Sequence, residues 1–215
     1  MIKRIELYGP EGAGKTTIYE KLSALRNKLS PEFLLIGEAR SRAVEAIAGN
    51  YDHDWLGLEG FFDRDIFQSE SFQQRYLPAI KRRLLLINHL NHTGYHNAVL
   101  EDEGLLQRGI NVAKAGEMDH DLICEYYNKV VLPSGIVVVS CDIHELLIRN
   151  AARGLNDKRL NRGKGAELSI KIVQIAEKVL AGRGVRILRL NSSTEVERNA
   201  VKAFNFIVSF NDDAG

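Results

Sequence analysis

Gly9-Pro10-Glu11-Gly12-Ala13-Gly14-Lys15-Thr16 fills every fixed position of the phosphate-binding loop G-x-x-x-x-G-K-[ST]. Its flanks decide what it means. Ile2, Ile5, Leu7 and Tyr8 make a short apolar strand ending at Gly9, and Ile18, Leu22 and Leu25 recur at helical spacing after Thr17. A loop between a strand and a helix can curl so that its N–H groups point inward at a polyphosphate, and the helix N-terminus adds partial positive charge. There Lys15 bridges the β- and γ-phosphates and the Thr16 hydroxyl ligates Mg²⁺. Gly9, Glu11, Gly12, Ala13, Gly14 and Thr17 complete the expected nucleotide contacts. The chain is expected to bind a nucleoside triphosphate, with ATP and Mg²⁺ as cofactors.

The bulk numbers fit a single domain over residues 1–215, long enough for one sizeable core. Twenty-nine basic and 28 acidic residues leave a net charge of +1, which gives no global pull toward nucleic acid or membrane. The first residues already form the strand that feeds the loop, so no leader is expected. Apolar runs such as Ile136-Val137-Val138-Val139 are far too short to span a bilayer. Cys124 and Cys141 form no C-x-x-C pair, so neither a disulfide framework nor a zinc site is indicated. The expected address is the cytoplasm. The expected partners are ATP and a small-molecule acceptor, with room for a homodimer.

Strand-like runs alternate with longer helical stretches. Strands are predicted near 2–8, 33–36, 98–100, 136–140 and 185–190. Helices are predicted over 75–90, 121–130, 143–152, 167–180 and 194–208. Strands joined by helical crossovers indicate an α/β fold, with a five-stranded parallel sheet covered by helices on both faces.

In such a sheet the chemistry gathers at the carboxyl ends of the strands. The second strand runs into Gly37-Glu38-Ala39-Arg40 and Arg42, and the third into Glu101-Asp102-Glu103-Gly104. Glu101 and Asp102 are candidate Mg²⁺ partners, since carboxylates hold that ion directly or through water. Which of the three consecutive acids faces the metal stays open, because successive side chains point to opposite sides. Arg149 and Arg153 share a helix face, and Lys158, Arg159, Arg162 and Lys164 follow in a glycine-bounded stretch. That segment, about 149–166, suits a lid whose guanidinium groups neutralise the transferring phosphoryl. The segment about 40–97 should build the acceptor pocket, with Phe67, Gln68, Arg75 and other aromatics available to it.

The order of these motifs, from Ile2 to Val208, resembles the thymidylate kinase and deoxynucleoside kinase group of P-loop kinases. The resemblance implies the three-layer P-loop nucleoside triphosphate hydrolase fold with strand order 2-3-1-4-5. It implies that Glu38 is the general base for the acceptor hydroxyl, that the Glu101 region matches the family's D-R or E-R-S motif, and that Asn191 and Ser192 lie in the loop packing against adenine. Lys15, Glu38, Glu101 and Arg153 are then the expected catalytic residues, with Arg149 and Arg153 also on the nucleotide. Glu38, Arg42, Phe67, Gln68, Arg75 and Arg108 are expected on the acceptor. Two departures stand out. Asp102 replaces the arginine that follows the family's first acid, leaving Arg108 as the nearest substitute, and Ala39 interrupts the E-P signature.

The activity implied is transfer of the γ-phosphoryl of ATP to a nucleotide or nucleoside. A P-loop kinase acting on another hydroxyl compound, such as a sugar, glycan end or antibiotic, is the first alternative. A GTPase or ATPase switch is the second. The switch motifs fail: Asn128-Lys129-Val130-Val131 lacks the aspartate of N-K-x-D, and Asp102-Glu103-Gly104-Leu105 has its glycine one place early for D-x-x-G. Lys15→Ala should lower turnover by at least about two to three powers of ten, the scale of losing a charge clamp on the phosphates. Near-normal turnover in a folded variant would remove the phosphate-loop assignment.

Overall fold

The computed structural model describes residues 2–29, 33–38, 58–92, 97–152 and 162–212. Five strands form one sheet: β1 (Arg4–Tyr8), β2 (Phe33–Leu35), β3 (Ala98–Glu101), β4 (Gly135–Ser140) and β5 (Arg186–Asn191). Their order is β2-β3-β1-β4-β5 and every neighbouring pair is parallel, as the resemblance implies. The loop that follows β1 therefore leaves from the centre of the sheet, at the carboxyl edge where the topology switches direction.

The alternation of side chains along β1 sorts the core into two layers. Ile5 and Leu7 face one way, with Leu100, Val137 and Val139, and are covered by α1 (Lys15–Leu29) through Ile18 and Leu22. The C-terminal helix, labelled α9 below (Val196–Asp212), closes that layer with Ala203, Ile207 and Phe210. Tyr8 faces the other way with Ile136 and Val138. That layer is covered by α5 (Leu105–Ala115), α6 (His120–Lys129) and α8 (Arg162–Gly182). Short helices α2 (Glu59–Phe62) and α3 (Glu70–Arg75) lead into α4 (Leu77–His92), whose Leu86 and Leu90 pack on Leu34 and Val99 at the sheet's β2 edge. Helix α7 (Ile143–Ala152) follows β4.

Where elements differ from the sequence pattern, backbone chemistry explains it. The helix expected over 75–90 divides at Tyr76, because Pro78 has no N–H to return to Gln74. Helix α5 escapes the pattern because Gly109 interrupts it. A side chain at that position would collide with the Tyr126 ring, so the glycine is what lets α6 close on α5. The second strand stops at Leu35 and the chain turns helical over 36–38.

The same alternation puts Arg4 and Glu6 on the Tyr8 face, inside the protein, and the register pairs Glu6 with Glu101 of β3. Arg4 Nε lies 2.9 Å from Glu101 Oε1, an ion contact without hydrogen-bond alignment. Glu6 instead accepts the backbone N–H of Gln107 at 2.6 Å and of Leu106 at 3.2 Å. Burial, and then the Glu101 charge, raise the Glu6 carboxyl from 4.5 to about 7, against the pull of those two N–H groups and Arg4.

The folded chain therefore keeps a proton on Glu6 that the unfolded chain releases. The associated stability is fully present below about pH 4.5 and lost as pH rises through about 7. Glu6→Gln retains an acceptor oxygen and cannot ionise. Its melting temperature should fall less than the parent's between about pH 5 and about pH 8, read by calorimetry. An unchanged slope would show that Glu6 ionises freely in the fold.

Candidate active site

The phosphate loop is held in shape from three sides. Gly9 has φ +148° and a side chain there would run into the Val139 carbonyl of β4. Gly12 has φ +85° and faces the Asn150 amide of α7, which occupies the space of a Cβ. Lys15 folds over the loop, its Nζ donating to Gly9 O at 2.8 Å and Pro10 O at 2.9 Å. The Gly9 N–H donates to the side-chain oxygen of Gln107 at 3.1 Å, so the first glycine is fixed by α5. Thr16 and Thr17 are exposed in the first turn of α1.

Helix α7 and the end of β5 form one wall. Asn150 Nδ2 donates to Glu11 O at 3.2 Å. Arg149 donates from Nη1 to Ser192 Oγ at 2.9 Å and from Nη2 to Ser192 O at 3.2 Å, and its guanidinium pairs with Glu145. Ser192 Cβ and Arg149 Nη1 stand 3.3 and 3.4 Å from where a Cβ on Gly14 would lie. The fold thus brings Arg149 and Ser192 against the phosphate loop. Asn191 braces the turn: its Oδ1 accepts Ser193 N–H at 2.9 Å, and its carbonyl accepts Asn199 Nδ2 at 2.7 Å.

A cavity of about 700 Å³ is lined by Glu11, Gly12, Gly14, Lys15 and Thr16 together with Arg75 at the end of α3, Glu103 after β3 and Arg108 of α5. A second, of about 590 Å³, lies between Tyr19, Gly37, Arg82, Arg83 and Asp102. Glu103 and Arg108 line both. The half-buried Arg108 guanidinium is pushed below its usual range by burial and by the Arg83 charge, against the pull of Glu103. An anion arriving beside it would relieve that cost.

The expected site residues divide on burial and contacts. Arg75 and Arg108 line the first cavity, Arg75 with its guanidinium 5.6 Å from the Tyr76 ring centre. Phe67 lines neither: it is fully buried among Phe61, Phe62 and Phe72, at ring separations of 4.9 to 5.3 Å, because apolar rings in this segment pack on each other. Gln68 is exposed and spends its amide on Phe62 O at 3.2 Å. Arg42, Arg153, Arg159 and the middle of the expected lid lie outside the described residues.

The acids divide just as sharply. Glu101, expected at the metal, is fully buried on Arg4. Glu38, expected as the base, accepts from Arg26 Nη1 at 2.7 Å and from Leu35 N–H at 3.2 Å, and lines neither cavity. Asp102 lines the second cavity, with Oδ1 accepting Glu103 N–H at 2.9 Å. Of the expected metal ligands only Thr16 lines the first cavity. Among the described residues no three His, Cys, Asp or Glu gather as a metal-binding group. This donor set still fits Mg²⁺ carried in on a nucleotide, since that ion takes one protein oxygen, phosphate oxygens and water.

Gln107 and Asn150 were not legible in advance. Each takes its role from a glycine of the loop brought beside it, and no spacing along the chain records that.

Neither a protein-family model nor a curated protein matches the sequence. Solved structures do match. A deoxyadenosine kinase from M. mycoides with bound dATP superposes with a TM-score of 0.56 at 13% identity, over 94% of this chain and 98% of that one. The same enzyme with bound dCTP gives 0.54 at 15% identity, over 96% and 99%. With its products dCMP and a flexible dCDP it gives 0.50 at 16%, again over 96% and 99%. The chain shares its fold with these deoxyadenosine kinase structures.

Arg149→Ala should weaken binding of a non-hydrolysable ATP analogue roughly tenfold, the scale of one lost charge-assisted contact. Calorimetric titration checks it, and unchanged affinity would confine Arg149 to bracing the β5 turn.

Proposed function

We propose that this chain is an ATP-dependent phosphotransferase that moves the γ-phosphoryl to a nucleoside or nucleotide. One observation carries the proposal. The phosphate loop, with Lys15 and Thr16, opens into a cavity of about 700 Å³ that Arg75 and Arg108 also line, which supports a triphosphate and a second anionic or polar molecule sharing it. The shared fold with a nucleotide-bound deoxyadenosine kinase supports the acceptor class.

The roles follow from position. The loop N–H groups and Lys15 hold the phosphates, and Lys15 exchanges its contacts with Gly9 O and Pro10 O for phosphate oxygens. Thr16 would hold the Mg²⁺ that neutralises charge on the β- and γ-phosphates. Arg149, Ser192 and Asn191 flank the nucleotide, while Arg75 and Arg108 address the acceptor. Arg42 and Arg153 belong to the proposal as acceptor and phosphate contacts, as does action in the cytoplasm. Among the described residues no helix is long and apolar enough to cross a membrane.

The placement of Phe67 in the core favours a second reading, an acceptor without a base to stack, such as a sugar or glycan end. An acceptor panel separates the two. ADP release should rise at least ~tenfold with a nucleoside or nucleoside monophosphate present, one decade being ~1.4 kcal/mol of barrier. Acceleration by sugars alone would move the assignment to the second reading. Indifference to every acceptor would remove the kinase assignment.

A further inference from the structure

We propose that Glu103, rather than Glu38, is the general base that takes the proton from the acceptor hydroxyl. The proposal rests on the phosphotransferase reading above. Four acids lie at the ends of β2 and β3, and their surroundings differ. The Glu38 carboxylate is held by the Arg26 guanidinium and the Leu35 N–H. Glu101 is closed inside the sheet on Arg4. Asp102 accepts the Glu103 N–H and lines only the second cavity. Glu103 is exposed and lines the cavity that contains Lys15 and Thr16.

Its backbone is fixed while its carboxylate is not engaged. The N–H of Glu103 donates to Asp102 Oδ1 at 2.9 Å, and its carbonyl accepts from Arg83 Nη2 at 2.6 Å. Among the described residues no hydrogen bond or ion pair occupies the carboxylate oxygens. Gly104 follows directly and has no room for a side chain beside Glu6 and Glu101, so the turn that presents Glu103 is anchored to the buried charges. Glu103 also meets Arg108 at the place where the two cavities join. A base must reach the acceptor's hydroxyl proton. Glu11 also lines the first cavity, from the phosphate loop itself, but of these acids Glu103 is the one that lines both cavities, on the side away from that loop's backbone.

In the step proposed, the acceptor oxygen forms a bond to the γ-phosphorus as the bond from that phosphorus to the β,γ-bridging oxygen breaks. The electron pair of the broken bond leaves on ADP, and the hydroxyl proton passes to a Glu103 carboxylate oxygen. Lys15 and Arg108, which line the same cavity, keep their charge through the step.

Glu103→Gln keeps the side chain's size and removes the base. Single-turnover transfer to an acceptor that the wild type phosphorylates should fall by roughly two or more powers of ten. Nucleotide affinity by calorimetry and the Mg²⁺ concentration for half-maximal rate should stay within about threefold of wild type. Glu103→Asp, which shortens the reach by one methylene, should recover part of the rate. The proposal is overturned by a Glu103→Gln rate within a few-fold of wild type, by a rise in Mg²⁺ requirement or loss of nucleotide affinity that accounts for the loss of rate, or by finding that Glu38→Gln carries the loss instead. If wild-type protein phosphorylates no acceptor, the phosphotransferase reading fails first. If wild type is active, Lys15→Ala is inactive and Glu103→Gln is unimpaired, only the assignment of the base fails.

Discussion

Arg4, Glu6 and Glu101, closed between strands β1 and β3, set the geometry on which the active-site end depends. Strands of a covered parallel sheet are ordinarily apolar on both faces. Here the register sets two carboxyls side by side, and both cannot be ionised cheaply without water. The structure resolves this by dividing the work. Glu101 takes the Arg4 charge, and Glu6 receives the N–H groups of Leu106 and Gln107. Those two donors belong to the first turn of α5, where helix N–H groups have no partner of their own. A strand carboxyl thus decides where α5 starts. Removing Arg4 or Glu101 alone leaves an uncompensated buried charge, a loss of about 3–5 kcal/mol.

The consequence reaches the phosphate loop in one more bond. Gln107 returns its side-chain oxygen to the Gly9 N–H, so the entrance to the loop, the start of α5 and the two acids form one connected unit. Arg108 is the next residue on that helix. Arg108, which lines the cavity beyond the loop, is therefore set by the same element that steadies Gly9. On the opposite side Asn150 and Arg149 join α7 to Glu11 and Ser192, giving the loop a second, independent support.

What was legible in the sequence was what local chemistry writes there. The loop motif, its flanking strand and helix, and the alternation of strands with crossovers all reappear where expected. Arg149 came from its place on a helix face and Asn191 and Ser192 from the family resemblance; the fold brings Arg149 and Ser192 against the loop, while Asn191 braces the turn beside them. Helix α5 was hidden by Gly109, whose role is to admit the Tyr126 ring. The acids were the harder case. Glu38, Glu101 and Glu103 look alike as letters after strands, and only the cross-strand register shows that one is buried. Among the described residues Glu38 accepts from Arg26, twelve positions earlier on α1, and from the N–H of Leu35, and neither contact is written in the spacing of its own segment. Phe67 was indistinguishable from a base-stacking ring until its neighbours were other rings.

The central place of β1 also has a consequence for biosynthesis. β1 is made before both of its neighbours in the sheet, residues 98–101 and 135–140. At about 5–20 residues per second, a ribosome completes β4 on the order of ten seconds after β1 has emerged. Until then Ile5 and Leu7 lack their covering layer, and Arg4 and Glu6 lack both the partner carboxylate and the helix start that satisfy them. The nascent β1 segment is thus a long-lived, sticky and charged one. Its premature pairing is opposed by the very charges that later lock it in place.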